Sequence, residues 1–343
     1  MTGGGAQHRG DAPSAWPASL GPSTSDAAAL ARTLLARCTF PAPGTAVVCG
    51  VSGGADSSAL LVLAVFAGCD ATAVHVDHGL RDGSAAEAAV VERLADLVGA
   101  RFVARTAVVP PGANLEARAR AARHGALGPD ALLGHTADDQ AETVLLALVR
   151  GAGLAGLAGI AAGRHPILGL RRAETMALVT ALGLCTVNDP TNHSAAHRRN
   201  RVRHELLPLL DAIAERDVAA VIARQAALLR DDAGLLEALS AGVDPTDARA
   251  LALAPAPLAR RAVRRWLAPT LGGYPPDAAA VERVLAVARG EVLACEVAGP
   301  GPGPVRIARS HRKLRVTGGE RGEELKKVDE TGQRPRKWPS PPN

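Results

Sequence analysis

The stretch that decides the fold is TAVVCGVSGGADSSALLVLAVF, residues 45–66. Its first part, 45–51, is valine-rich and typical of a buried strand, while the apolar run after Ser58 is typical of a helix. Between them lies Ser52-Gly53-Gly54-Ala55-Asp56-Ser57-Ser58. A glycine pair between a buried strand and a helix N-terminus lets backbone amides turn toward an anion, and the helix dipole adds to the attraction. The stretch therefore predicts a phosphate-binding loop.

Two common nucleotide-binding loops are excluded at this position. The loop has neither the G-K-[ST] of a Walker loop nor the G-x-G-x-x-G of a dinucleotide fold. Lysine occurs only at Lys313, Lys326, Lys327 and Lys337. The first 312 residues therefore contain no Walker, Schiff-base or kinase-type lysine.

Strands and helices alternate outward from this loop. The pattern predicts strands at 45–51, 71–77, 101–109 and 131–135, and helices at 57–67, 84–98, 115–124, 137–150 and 172–182. This alternation predicts an α/β fold with a parallel sheet. Helices rich in alanine, leucine and arginine follow at 205–216, 218–240, 258–267 and 277–289, and short strands are compatible with 292–317.

The length of 343 residues suggests about two domains. We predict a disordered tail at 1–24, a parallel-sheet domain at 25–204, a smaller and mostly helical domain at 205–317, and a disordered charged tail at 318–343.

The amino-acid composition of the chain excludes several classes of protein. The net charge is +5, and 35 of the 39 basic residues are arginine, the better bidentate partner for phosphate. Seven aromatic residues are too few for a base-stacking RNA platform. The five cysteines form no C-x-x-C pair, which argues against a disulfide framework, a zinc site or an iron–sulfur cluster. Without an apolar span or a secretory signal, the sequence predicts a cytoplasmic protein.

Two polar blocks are expected near the loop. Val76-Asp77-His78-Gly79-Leu80-Arg81 ends the second predicted strand, and ligands of open α/β sheets lie at the carboxyl ends of strands. In the helix predicted at 115–124, Arg120 and Arg123 are three residues apart and share a face. The alternative interpretation of that helix is a solvated basic face.

The most informative block is GHTADDQAET, residues 134–143. His135 closes a predicted strand, and Asp138 and Glu142 share one face of the next helix, with Asp139 beside them. Carboxylates in a first helical turn are also ordinary capping residues. A histidine able to move protons near neutral pH, at the end of a strand, favours a reactive site instead.

Taken in order, VSGGADS, VDHGLR, N-x-E-A-x-A-R-x-x-R and GHTADDQAET resemble the tRNA(Ile)-lysidine synthetase family of the ATP pyrophosphatase (PP-loop) superfamily. Asp189-Pro190-Thr191-Asn192, followed by Arg199-Asn200-x-Val202-Arg203, supports the resemblance. It covers residues 45–210 well and the helical remainder loosely. Four positions depart from the family pattern: His124, His165, Ser194 and His197.

The resemblance implies both a fold and a reaction. The first domain would be adenine nucleotide alpha hydrolase-like, or Rossmann-like, and the second would bind tRNA. With ATP and Mg²⁺, such an enzyme adenylates the C2 carbonyl oxygen of the wobble cytidine (position 34) in the CAU anticodon of tRNA(Ile) and releases pyrophosphate. The amine of free L-lysine then attacks C2 and expels AMP, leaving lysidine. No membrane is involved, and a homodimer is left open.

The resemblance also implies roles for individual residues. The predicted ATP site is Ser52, Gly53, Gly54, Ala55, Asp56, Ser57, Asp77 and His78, with Asp56 also holding Mg²⁺. The predicted catalytic residues are Asp56, Arg120, Arg123, His135, Asp138 and Glu142. Arg120 or Arg123 would meet the charge on the transferred phosphate, and His135, Asp138 and Glu142 would orient cytidine or lysine, one of them removing a proton. Substrate or tRNA would be bound by Asp139, Arg199, Asn200 and Arg203.

Two other functions stay open on the sequence alone. The first is another PP-loop chemistry, either a different tRNA modification or the amidation of a small molecule. The second is a non-catalytic tRNA-binding protein that retains a nucleotide-sensing loop. The arginine-rich clusters at 198–203, 260–265 and 306–315 are candidates for phosphate contacts, and a solvated face is the alternative for each.

Overall fold

The structure is a computed structural model that describes residues 25–77, 79, 84–110, 112, 115–187, 197–273, 275–299 and 303–317. The predicted tails at 1–24 and 318–343 lie outside the described residues. The chain divides into two compact units, the first ending at Arg230 and the second beginning at Asp231.

A four-stranded parallel sheet organises the first unit. Its strands are β1 (Ala46–Gly50), β2 (Asp70–Asp77), β3 (Arg101–Thr106) and β4 (Leu132–Leu133), in the order β3-β2-β1-β4. All three pairings are parallel, with Gly50 of β1 opposite Leu133 of β4. The predicted α/β fold is confirmed, and the valine-rich β1 suits a strand whose two faces are covered.

Seven helices of the described chain accompany this sheet. They are α1 (Ser25–Leu35), α2 (Ala55–Phe66), α3 (Ser84–Val98), α4 (Leu115–Leu127), α5 (Ala137–Val149), α6 (Leu154–Leu157) and α7 (Arg172–Ala181). Leu60, Leu61 and Leu63 of α2 are fully buried in the main core, which explains why this helix is apolar around its whole circumference. Helices α1 and α6 were not predicted from the sequence.

The first unit continues past the boundary predicted at 204–205. It includes α8 (Arg198–Arg201), a π-helical turn (Val202–Leu206), α9 (Leu207–Ala214) and the beginning of α10 (Val218–Ser240). Leu207 of α9 and Ala219 of α10 pack with Leu145 of α5 in one buried cluster. Because these helices bury their apolar side chains against the first unit, the division falls inside α10.

The second unit is helical with one small sheet. Helices α11 (Ala248–Leu253), α12 (Ala256–Leu267) and α13 (Ala278–Arg289) precede β5 (Ala294–Val297), β6 (Val305–Ser310) and β7 (Lys313–Thr317). The three strands are antiparallel and share a core with the helices. Across the described ranges, no helix combines the length and the apolar character needed to cross a membrane.

The strand order places a crevice at the carboxyl ends of β1 and β4. The chain moves to one side of β1 through β2 and β3, and then returns to its other side with β4. Ligands of open α/β sheets bind at such a reversal. Gly134, directly after β4, sits so close to α2 that a Cβ atom on it would lie 2.8 Å from the backbone oxygen of Asp56. Glycine at 134 therefore allows the end of β4 to meet the start of α2.

We predict that Gly134→Ala lowers the free energy of unfolding by about 1–3 kcal/mol, because the new methyl group meets backbone atoms that cannot move aside freely. Gly125→Ala is the matched control. Gly125 lies in α4 with no atom near its missing Cβ, so this change should stabilise the protein by about 0.5–1 kcal/mol. Urea unfolding measures both variants, and equal stabilities would contradict the packing described.

Candidate functional site

A cavity of about 800 Å³ opens at this crevice within the first unit, a volume in the usual range for small-molecule sites. Eleven of the predicted site residues line it: Ser52, Gly54, Ala55, Asp56, Ser57, Arg120, Arg123, His135, Asp139, Arg199 and Arg203. The structure thus brings most of the predicted ATP, catalytic and substrate residues to one place.

The phosphate loop is shaped by its own hydrogen bonds. The backbone N–H of Ser52 donates to the Ser57 hydroxyl at 3.1 Å, and that hydroxyl donates to the carbonyl of Gly54 at 2.9 Å. Gly53 has a φ of +84°, and a Cβ there would lie 2.8 Å from Val187. Gly54 caps α2, whose first amides have no partner within the helix. The loop therefore offers oriented N–H groups and hydroxyls to an anion.

Asp56 lies in the first turn of α2, on the cavity wall. Its carboxylate accepts hydrogen bonds from the Thr175 hydroxyl and, at 3.4 Å, from Nε of Arg172. Burial raises the pKa of Asp56 above its usual range, and the contacts with Thr175 and Arg172 oppose that rise only in part.

Arg172 lines the cavity and joins three carboxylates. Its Nη2 lies 3.1 Å from Asp139 and its Nη1 lies 3.3 Å from Glu142, in addition to its contact with Asp56. Arg199 and Arg203 also donate to Glu142, each through Nε at 2.7 Å. The side chain of Glu142 is 0% exposed. Such a buried carboxylate requires cationic partners, and here it has three.

Asp138 accepts hydrogen bonds from the first residue of α7 and from the residue before it. Arg171 donates to its two oxygens at 3.0 and 2.8 Å, and the backbone N–H of Arg172 donates at 2.7 Å. Burial acts to raise the pKa of Asp138, but the hydrogen bonds from Arg171 and Arg172 outweigh it and hold the pKa below its usual range. Neither Asp138 nor Glu142 lines the cavity. In this structure both carboxylates contact arginines, and their direct action on cytidine or lysine stays a prediction.

Asp139 is the carboxylate of this block that reaches the wall. One of its oxygens accepts from the backbone and hydroxyl of Thr136, both at 2.9 Å, in a capping box at the start of α5. The other faces Arg172. Burial alone would raise the pKa of Asp139, but the charges of Arg172 and Arg199 and the Thr136 hydrogen bond hold it below its usual range.

Arg120 and Arg123 face the cavity from α4. Within the described ranges, neither guanidinium has a hydrogen bond or an ion pair. Burial lowers the pKa of Arg123, and the neighbouring charge of Arg120 lowers it further. Two cations that repel each other at the wall of a cavity suit an anion, and their role toward the transferred phosphate stays a prediction.

His135 lies at the end of β4, against His165, with the ring centroids 4.7 Å apart. Burial lowers the pKa of His135 to about 3 against the opposing charge of Asp139, and His165, Arg199 and Arg120 lower it further. The ring is therefore neutral near pH 7 and is a weak base. A role for His135 in removing the lysine proton is not supported, although its place on the wall is as predicted.

The remaining predicted residues lie elsewhere. Gly53 shapes the loop, while Asp77 accepts from the N–H of Gly79 at 2.8 Å and does not line the cavity. Asn200 is buried in α8, also off the wall. His78 and Ser194 lie outside the described residues. Of the other departures, His124 is half-buried on α4 and His197 caps α8.

Sequence reasoning missed Arg171, Arg172 and Thr175. One signal for the two arginines was present, because they open a helix predicted at 172–182. Cations at a helix N-terminus oppose the helix dipole and so indicate nearby carboxylates. Their pairing partners Asp138 and Glu142 lie 33 and 30 residues away in the sequence.

Comparison with known proteins shows the family to which this chain belongs. The PP-loop domain family matches residues 27–210. The tRNA(Ile)-lysidine synthase of Nocardia farcinica is 43% identical over 299 residues, covering 81% of this chain and 93% of the relative. That of Thermobifida fusca is 39% identical over 287 residues, covering 76% and 88%. The chain belongs to the tRNA(Ile)-lysidine synthase family.

Membership in the tRNA(Ile)-lysidine synthase family confirms the predicted resemblance and identifies the chain as a ligase of the PP-loop type. PP-loop enzymes of this type use ATP, and the loop at Ser52–Ser57 is the matching element here. The family model ends at residue 210, so its match is confined to the first unit.

We predict that Glu142→Gln lowers the free energy of unfolding by about 3–5 kcal/mol, because it leaves arginine charges half-buried without their common partner. Glu205→Gln is the control, since Glu205 pairs with Arg201 on the exposed surface, where ion pairs contribute little. Chemical denaturation compares the two, and a loss for Glu142→Gln no greater than for the control would contradict the network.

Proposed function

We propose that this protein uses ATP to ligate lysine to C2 of cytidine 34 in the CAU anticodon of tRNA(Ile), giving lysidine, AMP and pyrophosphate. The observation that carries the proposal is the cavity itself. It joins a PP-loop, a charged carboxylate and two arginines that have no partner among the described residues, at the switch point of the sheet. The curated relatives named above carry this activity in their names.

The ATP phosphates fit the cationic part of the cavity. The β and γ phosphates would lie on the loop at Ser52–Ser57 and the first turn of α2, and the α phosphate would face Arg120 and Arg123. Cleavage between the α and β phosphates places negative charge on the leaving pyrophosphate, which these groups stabilise.

Asp56 is suited to hold Mg²⁺. One of its oxygens has only the 3.4 Å contact with Arg172, which leaves lone pairs for a cation beside the phosphate loop. Magnesium commonly binds one or two carboxylates together with substrate phosphates. When bound, the ion would neutralise charge on the pyrophosphate.

The order of chemical steps follows from leaving-group ability. A carbonyl oxygen is a poor leaving group, so the cytidine O2 first attacks the α phosphorus and expels pyrophosphate. The lysine amine, as the free base, then forms a bond to C2, AMP departs with the oxygen, and the surplus proton on the new C–N nitrogen passes to water. Asp139, charged because its pKa lies below the usual range, is the wall carboxylate that would bind an ammonium group of lysine. With such a pKa it binds rather than deprotonates.

We assign the tRNA surface of the second unit to the arginines that have no partner within it. Arg261 and Arg265 pair with Glu237, and Arg260 pairs with Glu282. By contrast, Arg306 of β6 and Arg315 of β7 are exposed, share one face of the sheet and have no side-chain partner among the described residues. Unpaired guanidinium groups on a shared face suit a phosphate backbone. We infer that the reaction takes place in the cytoplasm.

The direct test is incorporation of labelled lysine into tRNA(Ile) with a CAU anticodon, with a methionine tRNA of the same anticodon as control. Labelling of the first alone is expected. Asp56→Asn should abolish incorporation, because it removes the charge beside the pyrophosphate. Incorporation of another amino acid, or full activity of Asp56→Asn, would contradict the proposal or the role of Asp56.

The double variant Arg306→Gln/Arg315→Gln should weaken tRNA binding and reduce the dependence of log Kd on log salt by about one per lost phosphate contact. The double variant Arg260→Gln/Arg261→Gln carries the same charge change on residues that are already paired, and should alter the slope less. Filter binding across a salt series measures both. Equal slopes for the two double variants would contradict the assignment.

A further inference from the structure

One ring nitrogen of His135 is isolated inside the protein. Its Nδ1 is buried and is the single buried side-chain nitrogen or oxygen without a hydrogen bond among the described residues. The residue nevertheless lines the cavity. Nε2 is neither buried in this way nor bonded to the described chain, so it is the polar atom that His135 presents to a ligand.

The isolation of Nδ1 determines which nitrogen carries the hydrogen. A buried N–H without an acceptor is rarer and more costly than a buried acceptor without a donor. The hydrogen therefore resides on Nε2, and His135 offers an N–H donor to the cavity. The pKa of about 3, lowered chiefly by burial, keeps the ring neutral throughout the working range of pH. Asp139, Arg120, Arg199 and His165 are the charged or titratable groups nearest it.

The donor is held in a fixed direction. His135 follows β4 and Gly134, whose close approach to α2 fixes the backbone beside the phosphate loop. The ring meets His165 edge-on, at an interplanar angle of 69°. The Nδ1 of His165 is in turn held by the carbonyl of Ala161 at 2.7 Å. His165 is thus a positioning residue for His135.

We propose that the Nε2–H of His135 donates a hydrogen bond to N3 of the target cytosine and so helps the enzyme select cytosine, an inference that rests on the proposed function. Cytosine has an acceptor at N3, whereas uracil has an N–H there, which would face this donor without a partner. A site built to hydrogen-bond one group rejects a substrate that cannot complete the bond.

Other acceptors in the cavity fit this donor less well. The cytosine O2 must attack phosphorus, and a hydrogen bond to O2 would lower its nucleophilicity. The N3 lone pair lies in the ring plane and stays available while C2 exchanges oxygen for nitrogen. Phosphate oxygens have Arg120 and Arg123 as stronger, charged donors in the same cavity.

An atom-specific test uses tRNA(Ile) with 3-deazacytidine at position 34, which replaces N3 by C–H and keeps O2 and the amino group. Direct filter binding makes the readout independent of ligation. The wild-type protein should bind the 3-deaza tRNA about 10-fold more weakly than the natural tRNA. His135→Leu should bind the two equally. His135→Gln, which keeps an N–H donor at similar reach and cannot titrate, should retain the preference.

Three results would overturn the inference. One is a wild-type protein that does not distinguish the two tRNAs, and another is a His135→Leu variant that still does. The third is a rise in the KM for ATP as the main effect of His135→Leu, which would place the donor on phosphate. If wild-type protein prefers the natural tRNA but incorporates no lysine, the proposed function fails separately. His165→Ala should reduce the preference, since it frees the His135 ring to turn.

Discussion

The balance between buried carboxylates and arginines at the cavity wall is the constraint on which the site depends. Asp56, Asp138, Asp139 and Glu142 face Arg171, Arg172, Arg199 and Arg203, so that four carboxylates meet four guanidinium groups. Removing charges from water is costly, and each group tolerates its burial because its partners are in place. These residues come from α2, α5, α7, α8 and the π-helical turn. Because α8 runs directly into the π-helical turn, the ion pairs fix four separate segments of the chain around one crevice.

This balance leaves a surplus of positive charge toward the ligand. The charges of the paired groups balance one another, whereas Arg120 and Arg123 line the cavity without a partner among the described residues. A polyphosphate completes that arrangement, with the loop amides and the α2 dipole acting in the same direction. Neutral His135 and charged Asp139 line the same cavity, and a base and an ammonium group are the ligands we propose for them. In this proposal, positive, neutral and negative side chains of one cavity bind the phosphates, the base and the amine respectively.

The sequence specified the sheet and the loop well, because their signals are local. A valine-rich strand, a glycine pair and an apolar helix are contiguous at 45–66, and each has one physical interpretation. The i, i+4 spacing of Asp138 and Glu142 also predicted a shared direction correctly, but not which side of the wall they occupy. That depends on Arg172, Arg199 and Arg203, which are 30 to 61 residues from Glu142 in the chain. The first unit also extends past the predicted domain boundary, because α9 buries its apolar side chains against α5, a contact between residues far apart in the sequence.

The central claim is that this cavity cleaves ATP between the α and β phosphates by transferring AMP to a cytidine before lysine acts. The most direct measurement is the fate of α-labelled ATP in the presence of tRNA(Ile) and Mg²⁺ without lysine. We expect label on the tRNA and release of pyrophosphate, with AMP appearing when lysine is added. Labelled ADP, or pyrophosphate release that requires lysine from the start, would contradict it.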